Sequence, residues 1–345
     1  MQVRLNLIIM SLSIAIIVSK SIRTYNHLKF FINALVWGIT VSSIVGIGQR
    51  ILGEPFITLW EKTGSSERGS HILSVLSGRI AGLADYAIPL ASQLSLIIPI
   101  VIAQLMFCNK KMLRIRNTIF LILLVIATLY TEVRSALIGV CFAGAYIYLN
   151  KSNINKKNLI RDIFRFSSVL LISAILYIGI GNYFNEDRFT NFTDESALSR
   201  LPMQITAINY ALYHPFGTGI YNISYEYIPK GFLNNPEIIS GVISNTSHNQ
   251  FSNMLIYYGF IGLFLLVLLY VTIIKELNES LKKVQQNTQY KWILIGLKGS
   301  FYSSIINSLF HNGGPFIGDI VIWFVIGLSI AACKLVYFNS LNKVS

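Results

Sequence analysis

Apolar residues in this chain come in long blocks separated by short polar breaks. Nine blocks stand out, at 5–19, 29–49, 86–107, 117–131, 134–149, 166–183, 254–274, 292–310 and 317–337. Each approaches the ~20 apolar residues that a helix needs to cross a hydrocarbon core. The first is short, but Val18-Ser19-Lys20 follows it without a small-residue cleavage pattern, so it reads as a helix and not a leader. The stretch 117–149 is too long for one helix. Thr131-Glu132-Val133-Arg134-Ser135 breaks it with two charges and predicts a tight hairpin. The expected fold is an all-α integral membrane protein. It is a single multi-span domain over 1–345, with about nine transmembrane helices and one large extracytoplasmic loop, 184–253.

Composition supports this reading. Of 345 residues, 53% are hydrophobic and only 12% charged, against roughly 25% charged in a soluble domain. Mean hydropathy is +0.58. Disordered chains are charged and poor in apolar residues, so disorder is excluded. The net charge of +13 would suit nucleic acid in a soluble protein. In a membrane protein it fits loops held in the cytoplasm, and no nucleic-acid partner is expected. Cys108, Cys141 and Cys333 lie in or beside apolar runs, with neither metal-site nor disulfide-framework spacing.

The cations set an orientation. Loops 20–29, 108–116, 150–165, 275–291 and the C-terminal end hold 18 of the 28 Lys and Arg but only three acids, Asp162, Glu276 and Glu279. The positive-inside rule assigns them to the cytoplasm. Nine spans with a cytoplasmic C-terminus put the N-terminus outside, unless 5–19 stops short of crossing or a further helix precedes the chain. The cytoplasmic loops are too short for a catalytic domain. Two longer segments, 50–85 and 184–253, face the exterior. In the second, Thr193-Asp194-Glu195-Ser196 and Ser199 offer helix-start chemistry. Ile205, Ile208 and Leu212 recur at helical spacing, and His214-Pro215 and Gly217 end the run. An amphipathic helix at or near the outer membrane surface is expected.

The phosphate-loop, dinucleotide and zinc-protease patterns do not occur, so nucleotide hydrolysis and zinc chemistry have no support. The sequons at Asn191, Asn222 and Asn245 fit chance in an Asn-, Ser- and Thr-rich loop. The chemistry-bearing residues instead gather on the outer side. Arg200 falls in the first turn of the loop helix, where a guanidinium beside free N–H groups makes an anion site; a solvated loop arginine is the plainer reading. Arg134 sits at a membrane edge, where ionisable residues are functional candidates; snorkelling to the headgroups is the alternative. His248, in Thr246-Ser247-His248-Asn249-Gln250, stands at the mouth of the bundle, where a neutral imidazole can act as a general base or simply hold a hydrogen bond. His214 and His311 have weaker standing. Asp319, at the outer edge of the last span, is placed to orient a partner.

These residues fall in segments that resemble the O-antigen ligase and O-antigen polymerase family. Glu132-Val133-Arg134-Ser135-Ala136-Leu137-Ile138-Gly139-Val140 resembles its arginine hairpin. His214-Pro215-Phe216-Gly217-Thr218-Gly219 is similar to its outer-loop H-P-[LF]-x-G-x-G element, with Arg200 as the arginine upstream. Ser247-His248-Asn249-Gln250-Phe251 through Tyr258-Gly259-Phe260-Ile261-Gly262-Leu263 resembles the element that enters a helix. Gly78-Arg79-Ile80-Ala81-Gly82-Leu83 resembles its R-x-x-G segment. The four occur in the family's order over about 80–272. The chain has fewer spans than the family usually shows, and Val133, not the commoner small residue, precedes Arg134.

The resemblance implies a metal-independent, cofactor-free glycosyltransferase in a bacterial cytoplasmic (inner) membrane, with its active site on the extracytoplasmic face. Its partners would be an undecaprenyl-diphosphate-linked oligosaccharide donor, a glycan acceptor and the lipid bilayer, with a chain-length regulator and a flippase alongside. His248 would be catalytic, Arg134 and Arg200 would bind the diphosphate, and His214, Asn249 and Arg79 would support them. Two outward-facing arginines can neutralise a diphosphate without a divalent cation. The favoured reading is a polymerase that joins lipid-linked repeat units into O-antigen or capsular polysaccharide. The alternative is a ligase that transfers glycan to lipid A-core. A lipid-linked glycan transporter should carry midplane charges, broken helices or repeats; these spans are almost free of charge apart from Lys298. A structural scaffold would not need the Arg and His group.

Overall fold

The computed structural model describes residues 2–53, 78–108, 110–150, 168, 200–219, 223–233, 239, 242–243, 249–284, 290–311, 314–316 and 319–341. Nine α-helices run through these: α1 (Gln2–Ser21), α2 (Tyr25–Leu52), α3 (Ala87–Phe107), α4 (Lys111–Tyr130), α5 (Arg134–Leu149), α6 (Arg200–Tyr213), α7 (Gln250–Lys283), α8 (Lys291–Ser308) and α9 (Ile320–Leu341). Two short 3-10 turns, Tyr225–Tyr227 and Lys230–Phe232, follow α6. Eight of the nine predicted apolar blocks coincide with α1–α5 and α7–α9. The ninth, 166–183, lies outside the described residues apart from Ser168.

Several helices overrun their apolar blocks because Lys, Glu, Asn and Gln are not helix breakers. The 34 residues of α7 do not form one straight rod: the helix breaks at Gly259, and the Tyr270 hydroxyl reaches the side chain of Gln250, twenty residues earlier. Five helices are long and apolar enough to cross a membrane: α2, α3, α4, α7 and α9. Apolar side chains also cover the outside of the bundle, including Ile17, Trp37, Ile119 and Phe264. A soluble protein would leave such a surface to aggregate; lipid covers it at no cost.

The helices alternate in direction, giving the bundle two ends. The ends of α1, α3 and α7 and the starts of α2, α4 and α8 mark one end. Lys20, Lys110, Lys111, Lys282, Lys283 and Lys291 sit there, and it is termed the basic end below. The strap 78–86, the α4–α5 hairpin and the starts of α7 and α9 mark the other, the motif end.

α8 runs through the centre and packs on α3, α5 and α7. It is buried almost throughout, although it carries Ser300, Ser303, Ser304, Asn307 and Ser308. Small side chains let the backbones close, as membrane helix pairs require. A methyl group on Gly139 of α5 would come within 2.5 Å of the Ser303 carbonyl oxygen. One on Gly299 would meet Ile147 and Pro99 at 3.1–3.3 Å. Ser300 Oγ donates to the Leu96 carbonyl of α3 at 2.5 Å. At the bundle's edge α1 packs against α9, where Gly327 leaves room for Ala15 and Val18.

Candidate functional site

The α4–α5 hairpin is as tight as the two charges at 132 and 134 predict. Only three residues separate the helices, and Glu132 turns the chain with φ 57°. The strap 78–83 holds the hairpin from outside. Arg79 Nε donates to the Thr131 carbonyl at 3.0 Å, and Ile80 N–H donates to Tyr130 O at 3.1 Å. The strap is tied in turn to α2. Gln49 Oε1 accepts from Ala81 N at 3.1 Å and Gly82 N at 2.9 Å, while Gln49 Nε2 donates to Gly82 O at 3.0 Å. Gly82 has φ +60° and its missing Cβ faces the Ser42 carbonyl at 2.5 Å. The R-x-x-G segment is thus a clamp between α2 and the hairpin.

Arg134 opens α5 and is partly buried. Its neighbour Ser135 donates to Asn307 Oδ1 of α8 at 2.8 Å, and Asn307 Nδ2 donates to Ser92 Oγ of α3 at 3.1 Å. This buried chain ties the N-terminal turn of α5 to α8 and α3.

Arg200 opens α6. This helix buries Met203, Ala207, Tyr210 and Ala211, packed in part with Ile256 of α7 and Ile223 and Ile228 of the following turns. The Ile208–Leu212 side faces outward, so the stripe that identifies the helix in the sequence is not the face that docks on the protein. α6 ends where His214-Pro215 predicts. His214 Nε2 lies 3.0 Å from Tyr227 OH, and the imidazole rests on Tyr210 with ring centres 4.6 Å apart. His214 therefore sits in an aromatic cluster that shapes this loop.

Beyond His214 the chain crosses α7 at a break in that helix. Gly259 has φ 64° and ψ −159°, a region essentially restricted to glycine. Helix carbonyls freed by the break are taken up by the crossing loop: Thr218 N donates to Ile256 O at 3.1 Å and Gly219 N to Tyr257 O at 3.0 Å. In return Phe260 N donates to Pro215 O at 2.9 Å. A Cβ on Gly259 would lie 2.0 Å from Pro215 O, and one on Gly217 would lie 2.6 Å from Gly259 N. Two sequence elements some forty residues apart are one interlocked joint.

His248 lies outside the described residues. Asn249, next to it, caps α7: its Oδ1 accepts from Phe251 N at 2.8 Å and Ser252 N at 3.3 Å. The residue after His248 is therefore fixed at the head of α7. Arg134 and Arg200 stand at the same end of the bundle on separate helices.

The sequence reading missed a buried polar seam behind these residues. Gln250 is fully buried, and its Oε1 accepts from Tyr270 OH at 3.2 Å. Gly314 packs against the Gln250 amide, where a methyl group has no space. Asp319 caps α9 through Val321 N at 3.0 Å. Burial pushes its carboxyl up to about 6, opposed by hydrogen bonds from the Val321 and Ile322 N–H groups. The available signal was Ser300, Ser303, Ser304, Asn307 and Ser308 at helical spacing inside an apolar block.

The electrostatics of this end favour an anion. α3, α5, α7 and α9 all begin here, and helix N-termini carry partial positive charge. Arg79, Arg134 and Arg200 add full positive charges, beside the carboxyl groups of Asp85, Glu132 and Asp319 at the same end. Residues 119–267 match the family model for O-antigen ligase. No curated protein matches the chain. The match runs from within α4 to within α7. It contains the hairpin, α6, the glycine joint and His248, and it leaves out the strap and the seam residues of α8 and α9. The chain therefore resembles the O-antigen ligase and polymerase family over 119–267, a little under half of its length, and its apolar helices make it a multi-pass membrane protein.

Proposed function

We propose that this chain is a membrane glycosyltransferase that polymerises undecaprenyl-diphosphate-linked repeat units on the outer face of a bacterial cytoplasmic membrane. The observation that carries the proposal is the family match over 119–267, which encloses Arg134, Arg200 and His248 together. The positive-inside rule would hold the basic end in the cytoplasm; the motif end would then meet the outer headgroups, where a lipid diphosphate presents its charge. The acceptor hydroxyl oxygen bonds to the anomeric carbon of the donor sugar as the bond from that carbon to the phosphate oxygen breaks. The hydroxyl proton passes to His248. The diphosphate leaves on its lipid, with Arg134 and Arg200 neutralising the charge, so no divalent cation is required. Arg79 and Asn249 are positioning residues, through the hairpin and the α7 cap.

The test is deletion followed by glycan gel analysis, with complementation by wild type and His248→Ala. A single repeat on the surface acceptor is the expected phenotype. Full-length polymer stranded on the lipid diphosphate would instead identify a ligase acting on lipid A-core, and unchanged glycan would remove both readings. A positioned general base contributes ~10²–10⁴-fold, so His248→Ala protein should insert normally and fail to restore elongation.

A further inference from the structure

At the basic end, opposite the motif end, the starts of α2, α4 and α8 and the end of α3 enclose a cavity of about 310 Å³. Three cations line it, Lys29, Lys110 and Arg116, and no carboxylate does. The Lys29 and Lys110 side chains make no hydrogen bond or ion pair among the described residues, although the Lys110 carbonyl accepts from Arg114 N at 3.0 Å. Arg116 rests against the Phe120 ring, with its Cζ 5.6 Å from the ring centre. Its Nε and Nη2 donate to Asn117 Oδ1 at 3.2 and 3.0 Å. A guanidinium has five N–H donors, so this one is held in place with donors to spare. The N-terminus of the 20-residue α4 adds its partial positive charge, and Lys110 supplies no side-chain cap.

A second polar group makes the cavity more than a basic patch. Gln104 also lines it and is only 6% exposed. Its Nε2 donates to Asn33 Oδ1 at 3.3 Å, while its Oε1 is buried with no hydrogen-bond partner among the described residues. A buried carbonyl oxygen wants a donor, which a bare phosphate does not have. The ligand chemistry that suits both features is a phosphate ester bearing a free hydroxyl.

The surroundings favour a lipid source. Trp292 Nε1 donates to Tyr25 OH at 3.3 Å on the cavity wall, and such aromatic residues sit at headgroup depth. Phe30, Met112 and Ile115, beside Lys29 and Arg116 in sequence, are 67%, 79% and 48% exposed, ready for acyl chains. We infer that this cavity is a binding site for the glycerol-phosphate headgroup of an anionic phospholipid. The cations would take the phosphate and Gln104 Oε1 a glycerol hydroxyl. The site is independent of the glycosyltransferase reading and lies at the other end of the bundle.

Native mass spectrometry of the full chain, exchanged with defined lipids, tests the inference. Phosphatidylglycerol should bind at least tenfold tighter than phosphatidylcholine. It should also exceed phosphatidylmethanol, which has the same charge and no hydroxyl, by several-fold. This comparison needs no variant. Lys29→Gln with Arg116→Gln should weaken phosphatidylglycerol at least tenfold, while Lys282→Gln with Lys283→Gln, on the same end, should leave it unchanged. Gln104→Leu should remove the preference over phosphatidylmethanol and keep the preference over phosphatidylcholine. Equal affinity for phosphatidylglycerol and phosphatidylcholine would overturn the site. An equal loss in both double variants would reduce it to nonspecific charge. Displacement of the lipid by micromolar glycerol 3-phosphate would overturn the lipid assignment in favour of a soluble ligand.

Discussion

Arginine and lysine carry the same charge, but only arginine offers a planar fork of donors to two phosphate oxygens. If Arg134 and Arg200 bind a diphosphate, charge alone will not suffice. Arg134→Lys and Arg200→Lys should each lower glycan elongation about tenfold or more, measured by complementation of a deletion strain at matched expression. Arg68→Lys, on the same expected side, should be close to silent; full complementation by both site variants would remove the diphosphate role. Asp319 supports a pH prediction. Burial raises its folded pKa to about 6, above an unfolded carboxylate value of about 4. Between those values the folded state binds more protons, so stability falls as pH rises through that window and is level above it. Asparagine is as good an N-cap as aspartate. Asp319→Asn should therefore flatten the decline in melting temperature between pH 4 and 6, by a few degrees, without loss of α9. An unchanged slope would show that Asp319 does not titrate there.

At the scale of elements, the joint between the 215–219 loop and α7 makes a sharper claim than helix propensity does. Gly259→Ala must place a methyl group 2.0 Å from the Pro215 carbonyl oxygen and hold alanine in a glycine-only conformation. Backbone strain and overpacking together should cost about 2–5 kcal/mol and detach α6 from the head of α7. Gly219 is the internal control, with φ +73° but nothing within 4 Å of its missing Cβ, so Gly219→Ala should cost only about 1–2 kcal/mol. Thermal unfolding in detergent, with protease sensitivity of the α6 segment, separates the two. Similar behaviour of both variants would mean that the joint does not hold α6. The same comparison explains a feature of the motifs. The glycines of His214-Pro215-Phe216-Gly217 and of Tyr258-Gly259 are needed because two backbones pass where a side chain would stand.

For the whole molecule, the distribution of cations predicts which end faces which compartment. Reporter fusions after Asn158 and Gln286 should report cytoplasm, and fusions after Glu186 and Asn235 the exterior. A cytoplasmic signal at Asn235 would put Arg134, Arg200 and His248 on the wrong side for the proposed chemistry. Such a signal would leave the headgroup cavity intact as a site but move it to the other leaflet.

The helices were legible because apolar run length is a property of neighbouring residues, and a membrane requires it of each span separately. The hairpin at 131–133, the end of α6 at His214-Pro215 and the alternation of basic loops are likewise local. Which face of α6 docks on the protein was not legible: Ile205, Ile208 and Leu212 mark an amphipathic helix, yet Met203, Ala207 and Tyr210 are the buried side because α7 and the 3-10 turns lie there. The pairing of Gly217 with Gly259, the clamp of Gln49 on Gly82, and the chain Ser135–Asn307–Ser92 join residues 33 to 215 positions apart, at distances over which no pattern in the sequence repeats. The polar residues of α8 read as an impurity in an apolar block until the fold encloses that helix on several sides. Buried polar groups need partners, and only the packed bundle determines which partners those are.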